Sequence, residues 1–319
     1  MQQLLENTAA YKLLKAEGEK QRFCHAYLLT LSDGRNLRAA AKAFAKVFFM
    51  QSPAFSRIAD LIDKESFSDC LFYPETDKKF AVEDAERVGE ECALQPVEGA
   101  RKLIVIADFA QANAASQNKL LKLLEQPPES VAFLLCATSV YPVLQTVLSR
   151  VERLEIPPFA TEEVAACLSR VYGTKYTQDD IAVCAAACDG VVGVAQSMLE
   201  GGGYKTLLAD AFSLALCTAD KLPSVVKRVG ETKQKTQLLS LLRILYRDAL
   251  LVKTGQRKHV LLQSEKENLE MLAQKRSVAA LLYAQEKLTD AEREVAFNAV
   301  FPQCIETFAA AVLARNEKL

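Results

Sequence analysis

Residues 103–150 run LIVIADFAQANAASQNKLLKLLEQPPESVAFLLCATSVYPVLQTVLSR, and this stretch decides the fold. Two short uncharged apolar runs, 103–106 and 131–137, are built from residues such as Leu, Ile, Val and Phe. Runs of that length suit strands buried on both faces, as in parallel sheets. Between them, Asn113 stands where its side chain can cap the first turn of a helix. Leu120, Leu121 and Leu124 recur at helical spacing and give that helix one apolar stripe. Pro127 and Pro128 end it, because proline has no N–H to donate and restricts the residue before it. Strand, helix, strand in this order is a parallel crossover.

Working outward, residues 26–31 form a further strand, 37–49 an alanine-rich helix and 82–94 another helix. Pro157 and Pro158 then break the chain, closing a first domain at about residue 159. Three short helices follow. Thr161, Glu162 and Glu163 open the first, with Val164, Leu168 and Val171 along one face. Thr177 and Asp180 make a capping box for the second, and residues 190–193 lead into the third, which stops at Gly201-Gly202-Gly203. Beyond the glycines nothing resembles a strand. Leu238, Leu241, Leu242, Leu245 and Leu250 trace an apolar helix face, and residues 295–313 are apolar on most sides, so neighbours must bury them.

A length of 319 residues with 50% hydrophobic content predicts two or three folded domains. No stretch approaches the roughly 20 apolar residues of a membrane span. Residues 1–20 form a polar amphipathic helix rather than a signal peptide, which makes a cytoplasmic location the expectation. Nine cysteines lie scattered. Cys184 and Cys188 share a helical face with Ile181 and Ala185, which suits packing better than metal. His25 and His259 are far apart in sequence, and His25 is expected to make a structural hydrogen bond beside the first strand. A Cys24–His25 dyad is disfavoured because neighbours on a strand point to opposite faces.

The segment 113–128, NAASQNKLLKLLEQPP, is followed by a strand ending in Ala137-Thr138-Ser139 and then by Leu148-Ser149-Arg150. In that order it resembles the clamp-loader branch of the AAA+ ATPases. Residues 80–84 and 94–99 also resemble that family's strand-to-helix entry and its "LRPYEG" segment. The resemblance implies an α/β AAA+-type domain, a parallel sheet flanked by helices, over residues 1–159. A small helical lid over 160–203 and an all-α C-terminal collar over 204–319, through which subunits assemble, complete the implied fold.

The departures from the family's pattern matter as much. A working phosphate loop needs glycines, a lysine and a hydroxyl on magnesium. Here the loop is Ser32-Asp33-Gly34-Arg35-Asn36-Leu37-Arg38, in which Asp33 is expected to repel a triphosphate. Ala107 stands where the resemblance places a magnesium-binding aspartate, and Asp108 where it places a catalytic glutamate, with Phe109 and Ala110 following. Gly193 and Val194 occupy the neighbourhood of the lid's sensor arginine. Thr138 sits at the sensor position, where a structural hydrogen bond is expected instead. Phosphoryl transfer relies on positioning and charge neutralisation, so the expectation is a non-hydrolysing chain with no bound ATP or magnesium. Weak nucleotide binding at the Gly34 backbone stays open. Relatives carry a four-cysteine zinc module after the first helix. Residues 50–69 contain no cysteine, so no zinc is expected.

What the resemblance keeps is Arg150, preceded by Ser149, at the turn where the family's Ser-Arg-Cys motif sends an arginine finger into the next subunit's ATP site. Val151 replaces the cysteine. A planar, permanently charged fork suits a γ-phosphate. The plainer alternative pairs Arg150 with Glu152 or Glu155 on the surface. The partners implied are clamp-loader ATPase subunits, a clamp-opening subunit, the sliding clamp indirectly and primer-template DNA. Rival expectations are an active ATPase with an atypical loop, or an adaptor or DNA-binding protein on the same skeleton. Net charge is −1, yet residues 221–258 hold ten basic residues against Glu231 and Asp248. That run is either a solvated face or a contact for an acidic partner or template DNA.

Overall fold

Both apolar runs of the opening stretch become central strands of one five-stranded parallel sheet. β1 (Ala26–Leu31), β2 (Cys70–Tyr73), β3 (Lys102–Ile106), β4 (Val131–Ala137) and β5 (Glu152–Ile156) lie in the order β2-β3-β4-β1-β5. The register sets Thr30 beside Ala137 and Ile106 beside Leu135. Around the strands come α1 (Gln2–Asn7), α2 (Ala9–Glu19), α3 (Leu37–Val47), α4 (Phe55–Asp63), α5 (Val82–Cys92), α6 (Ala114–Glu125) and α7 (Gln145–Leu148). In this computed structural model, which describes residues 1–75, 78–200 and 203–317, these elements form a first unit, Met1–Pro158.

Every residue of β1, β3 and β4 is buried, because helices cover both faces. On one face Leu28, Ile106, Phe133 and Leu135 pack with Val88 of α5 and with Leu120 and Leu124 of α6. The alternate residues Tyr27, Leu29, Val105 and Leu134 are equally buried on the other face, where α3 lies along β3 and β4. Each such side chain contributes about 1.5–3 kcal/mol. Lys102 is the charged exception. Its stem is buried while its ammonium donates to the Glu91 backbone oxygen and carboxylate at 2.9 and 3.0 Å.

The α6 cap forms as its sequence requires: Asn113 Oδ1 accepts from the Ser116 N–H and hydroxyl at 2.8 and 3.0 Å. Leu121 is only partly buried, so Leu120 and Leu124 carry the stripe. Residues 1–20 make two helices rather than one. Thr8 is extended between them, and its hydroxyl caps α2 by accepting the Tyr11 N–H at 3.2 Å. Phe80 belongs to no strand. It is a buried loop residue packed on the Phe109 ring, and α5 starts two residues later where Asp84 accepts the Ala81 N–H at 3.0 Å.

The second unit, Phe159–Leu319, holds α8 (Thr161–Tyr172), α9 (Gln178–Ala186), α10 (Val192–Glu200), α11 (Gly203–Ala215), α12 (Leu222–Val229), α13 (Lys235–Lys253), α14 (Lys266–Lys275), α15 (Val278–Ala296) and α16 (Phe301–Glu317). Thr177 and Asp180 close their box reciprocally, at 3.1 and 3.4 Å. In α8, Val164 and Leu168 are buried but Val171 is exposed, and Tyr172 turns inward at the last turn instead. Cys184 and Cys188 are buried with Ile181 and Ala185. Gly201 and Gly202 lie outside the described residues, and after them the described residues contain no strand.

In α13, Leu238, Leu241, Leu242 and Leu245 are buried and Leu250 is half-buried. The stretch 295–313 is not one buried helix. Asn298 adopts φ 60°, which asparagine tolerates, and the chain reverses there. Phe297 is left 86% exposed, while Ile305, Phe308 and Val312 line the inward side of α16. Among the described residues no helix is long and apolar enough to cross a membrane.

Candidate functional site

The residues singled out in the first unit fall on two opposite edges of the sheet. At the C-terminal edge, the connection leaving β1 runs one way across the sheet to β2, whereas that leaving neighbouring β4 runs the other way to β5. In open α/β sheets ligands bind at such a reversal. Residues 32–36 lie here after β1, Ala107 and Asp108 after β3, and Thr138 after β4. Gly34 and Thr138 come together, since a Cβ built on Gly34 would sit 3.5 Å from Thr138 Cγ2.

Asp33 does not face outward to repel an anion. It is buried, and its carboxylate accepts from the Asn36 N–H at 3.1 Å and from Asn36 Nδ2 at 2.7 Å. The Asn36 N–H also meets the Asp33 carbonyl at 3.2 Å, so the turn folds onto its own aspartate. Arg35 is exposed. Ala107 offers a methyl where a metal ligand would be needed, and its N–H donates to Tyr73 O at 2.7 Å. Asp108 is left-handed at φ 53°; Oδ2 accepts from Gln111 Nε2 at 2.5 Å, and Oδ1 is buried without a partner. With no lysine in the loop, an Asn36 N–H committed internally and no carboxylate at position 107, these residues do not fit a magnesium–nucleotide complex. Among the described residues there is also no group of three His, Cys, Asp or Glu arranged to hold a metal.

Arg150 lies at the other edge, immediately before β5. Its Nη1 donates to Thr146 O at 2.7 Å and to Ser149 Oγ at 2.9 Å. Its Nη2 meets Glu125 Oε1 at 2.7 Å. The carboxylate found is therefore neither Glu152 nor Glu155 but the last residue of α6, brought alongside because α6 ends and α7 ends at the same edge. Cys24, His25, Glu125, Ser149, Arg150 and Glu152 line an open depression of about 610 Å³. Burial, and then the nearby Glu17, raise the Glu152 carboxyl above its ordinary pKa.

The side-chain hydrogen bond expected of His25 is made to Cys24, whereas the argument from strand alternation against their pairing fails. Its Nε2 is buried without a hydrogen-bond partner, and its Nδ1 lies 3.8 Å from Cys24 Sγ. Both residues precede β1, so strand alternation does not separate them. Of the nine cysteines, Cys24 alone is partly exposed, and burial pushes the others' thiols up where they shift, Cys92 to about 11 and Cys184 to about 12.

Sequence reasoning missed three residues that hold these edges in place. Gln117 is buried in α6. It donates to Ala112 O and Pro142 O, both at 3.0 Å, and accepts the Leu144 N–H at 2.9 Å, which ties α6 to the turn leading to Arg150. Asp69 is buried and accepts the N–H groups of Val97, Glu98 and Gly99 at 2.6, 2.7 and 2.8 Å. Arg38 forks onto Glu65 at 2.7 and 2.5 Å and donates to Pro74 O at 3.1 Å. That fork, more than Lys42 beside it, holds the Glu65 carboxyl down at about 2. All of these partners but Ala112 lie 25 to 36 positions away and leave no local pattern, although the buried amide of Gln117 sits inside the quoted helix.

In the second unit part of the basic run has partners. Arg228 pairs with Asp210, Arg243 with Glu292, Arg247 with Asp248 and Arg257 with Glu270, at 2.7 to 3.4 Å, and Lys253 donates to Ala273 O at 2.6 Å. Half of the ten cations thus pair with or cap groups of their own unit.

Parallel crossovers around a sheet that reverses between β1 and β4, followed by a helical second unit, define an AAA+-type α/β protein. The family described as DNA polymerase III, delta subunit, matches residues 6–160, and over those residues the chain is similar to the clamp-loader family of DNA polymerase III. It is 28% identical over 158 residues to the DNA polymerase III subunit delta' of Bacillus subtilis, covering 48% of this chain and 48% of that protein. It is 23% identical over 190 residues to the subunit tau of the same organism, covering 57% of this chain and 34% of that protein. The chain thus spans about a third to a half of these relatives. A DNA polymerase III gamma subunit-related protein from Thermotoga maritima superposes with a TM-score of 0.43 at 17% identity, covering 96% of this chain and 99% of that one.

Proposed function

We propose that this chain is a non-hydrolysing, delta prime-type member of a clamp-loader ring that supports ATP-dependent loading of a sliding clamp. It holds its place through residues 204–319 as a collar, with residues 160–203 as a lid, and offers Arg150 to the ATP site of an adjacent ATPase subunit. A clamp-opening delta subunit completes the ring, and the clamp and primer-template DNA are met through the complex. No ATP, magnesium or zinc is held by this chain itself.

One observation carries the reading: Arg150 and the crevice residues stand at opposite ends of the sheet. Strands of five to seven residues separate them, about 17–23 Å at 3.3 Å per residue. Arg150 is too far from the chain's own crevice to act there, so a phosphate that it serves belongs to another subunit. Head-to-tail contacts in a ring bring one such edge against the opposite edge of the next chain. A subunit of this kind gives a cation on one side and asks for no nucleotide on the other.

The test is Arg150→Ala in the complex reconstituted with the ATPase subunits. Assembly by gel filtration should survive while clamp-stimulated ATP turnover at the adjoining site falls at least about tenfold, given that such fingers are worth about 10³ to 10⁵ where best studied. Arg150→Lys should rescue little, because a point charge does not replace the fork. Unchanged turnover assigns Arg150 to a surface ion pair, and magnesium-dependent turnover by the isolated chain overturns the non-hydrolysing reading.

A further inference from the structure

Arg150 is not idle in the isolated chain, and the way it is held has a functional consequence. Nη1 is spent on Thr146 O and Ser149 Oγ, and Nη2 on Glu125. A guanidinium grips a phosphate through adjacent N–H groups of the same planar fork, so a finger bonded in this way must give up at least part of this set before it can engage. The Thr146 carbonyl and the Ser149 hydroxyl belong to Arg150's own turn. The separable contact is Glu125.

Helix electrostatics single out Glu125 as well. It is the last residue of α6, where the exposed carbonyl ends of the helix disfavour a negative side chain. Its carboxylate is compensated there by Arg150, which approaches from a different element. The Arg150 and Glu125 side chains keep 32% and 47% of their exposure, so water can replace either partner and the pair is readily exchanged. When Arg150 leaves, Glu125 remains on the wall of the same depression and opposes an incoming anion.

We propose that Glu125 is a positioning residue that parks Arg150 in the unengaged subunit and competes with the neighbouring subunit's phosphate for it. This rests on the reading of Arg150 as a trans-acting finger. The exchange sets how readily the subunit engages, and it leaves the rate of the engaged complex alone, because the pair is already broken there.

The experiment titrates this chain into its ATPase partners at saturating ATP and measures turnover. Glu125→Gln should lower the concentration giving half-maximal stimulation about twofold to fivefold, equivalent to about 0.4–1 kcal/mol, with the maximal rate unchanged. Glu125→Asp, one methylene shorter, should fall between Gln and wild type. Added salt should shrink the difference between wild type and Gln, since an exposed pair is screened. The Glu125→Gln, Arg150→Ala double variant should match Arg150→Ala alone. A lower maximal rate in Glu125→Gln would mean that Glu125 aims the finger rather than restrains it. An unshifted titration together with a damaging Arg150→Ala defeats the exchange alone, whereas a harmless Arg150→Ala defeats the trans-acting reading and the exchange with it.

Discussion

Replacing Gln117 with leucine keeps nearly the same volume in α6 but removes two donated hydrogen bonds and one accepted one. The cost follows from what is left behind. Ala112 O is buried with Gln117 and loses its partner outright, which is worth about 1–3 kcal/mol, while the Pro142 carbonyl and Leu144 N–H sit in a part-buried turn and cost about 1 kcal/mol each after rehydration. The expected total is about 3–5 kcal/mol, a large share of the roughly 5–15 kcal/mol that a folded domain possesses. Gln117→Glu should be worse than leucine despite its matching shape, because it sets carboxylate oxygens against two carbonyls. The chain has no tryptophan, so urea unfolding is best followed by far-UV circular dichroism. Hydrogen exchange over residues 112–148 then shows whether the loss begins at the turn before Arg150. A leucine variant that loses less than about 1 kcal/mol, or a glutamate variant milder than leucine, would refute the reasoning.

Two further outcomes are expected from the same unit. Asp69→Asn turns an amide toward three backbone donors that one carboxylate now satisfies, and should cost about 2–3 kcal/mol in urea unfolding and speed exchange of the 97–99 amides. Glu65 has its folded pKa held down to about 2 by Arg38. Its contribution is therefore fully present above the unfolded value near 4.3 and is lost as pH falls from there through 2. Allowing for solvent screening the effect is on the order of 1 kcal/mol, so Glu65→Gln should flatten the stability profile between pH 4.5 and 2 and leave the slope above pH 5 unaltered.

Much of the first unit was legible because its physics is local. A strand covered on both faces must be continuously apolar, which fixes β1, β3 and β4 almost to the residue, and Asn113 with Pro127 brackets α6 between a donor-hungry start and a stop. β2 escaped because four residues carry too little periodicity. The break at Thr8 and the reversal at Asn298 were hidden by apolar patterns that continue across them; a capping hydroxyl and a left-handed asparagine override the pattern. Arg150 was singled out through the order of neighbouring motifs. Its partner Glu125 was not, because two helix ends meet at one sheet edge only after the crossovers are complete. For the same reason Asp33 was misjudged: its charge is visible in sequence, but its burial against Asn36 depends on how the turn closes.

The lone half-open thiol has a practical value of its own. Cys24 stands on the rim shared with Arg150 while the other eight sulfurs are shut inside the protein, so a maleimide dye applied to the native polypeptide should attach at one known place. A fluorophore there would watch the surface that a neighbour is proposed to cover, without a single engineered cysteine.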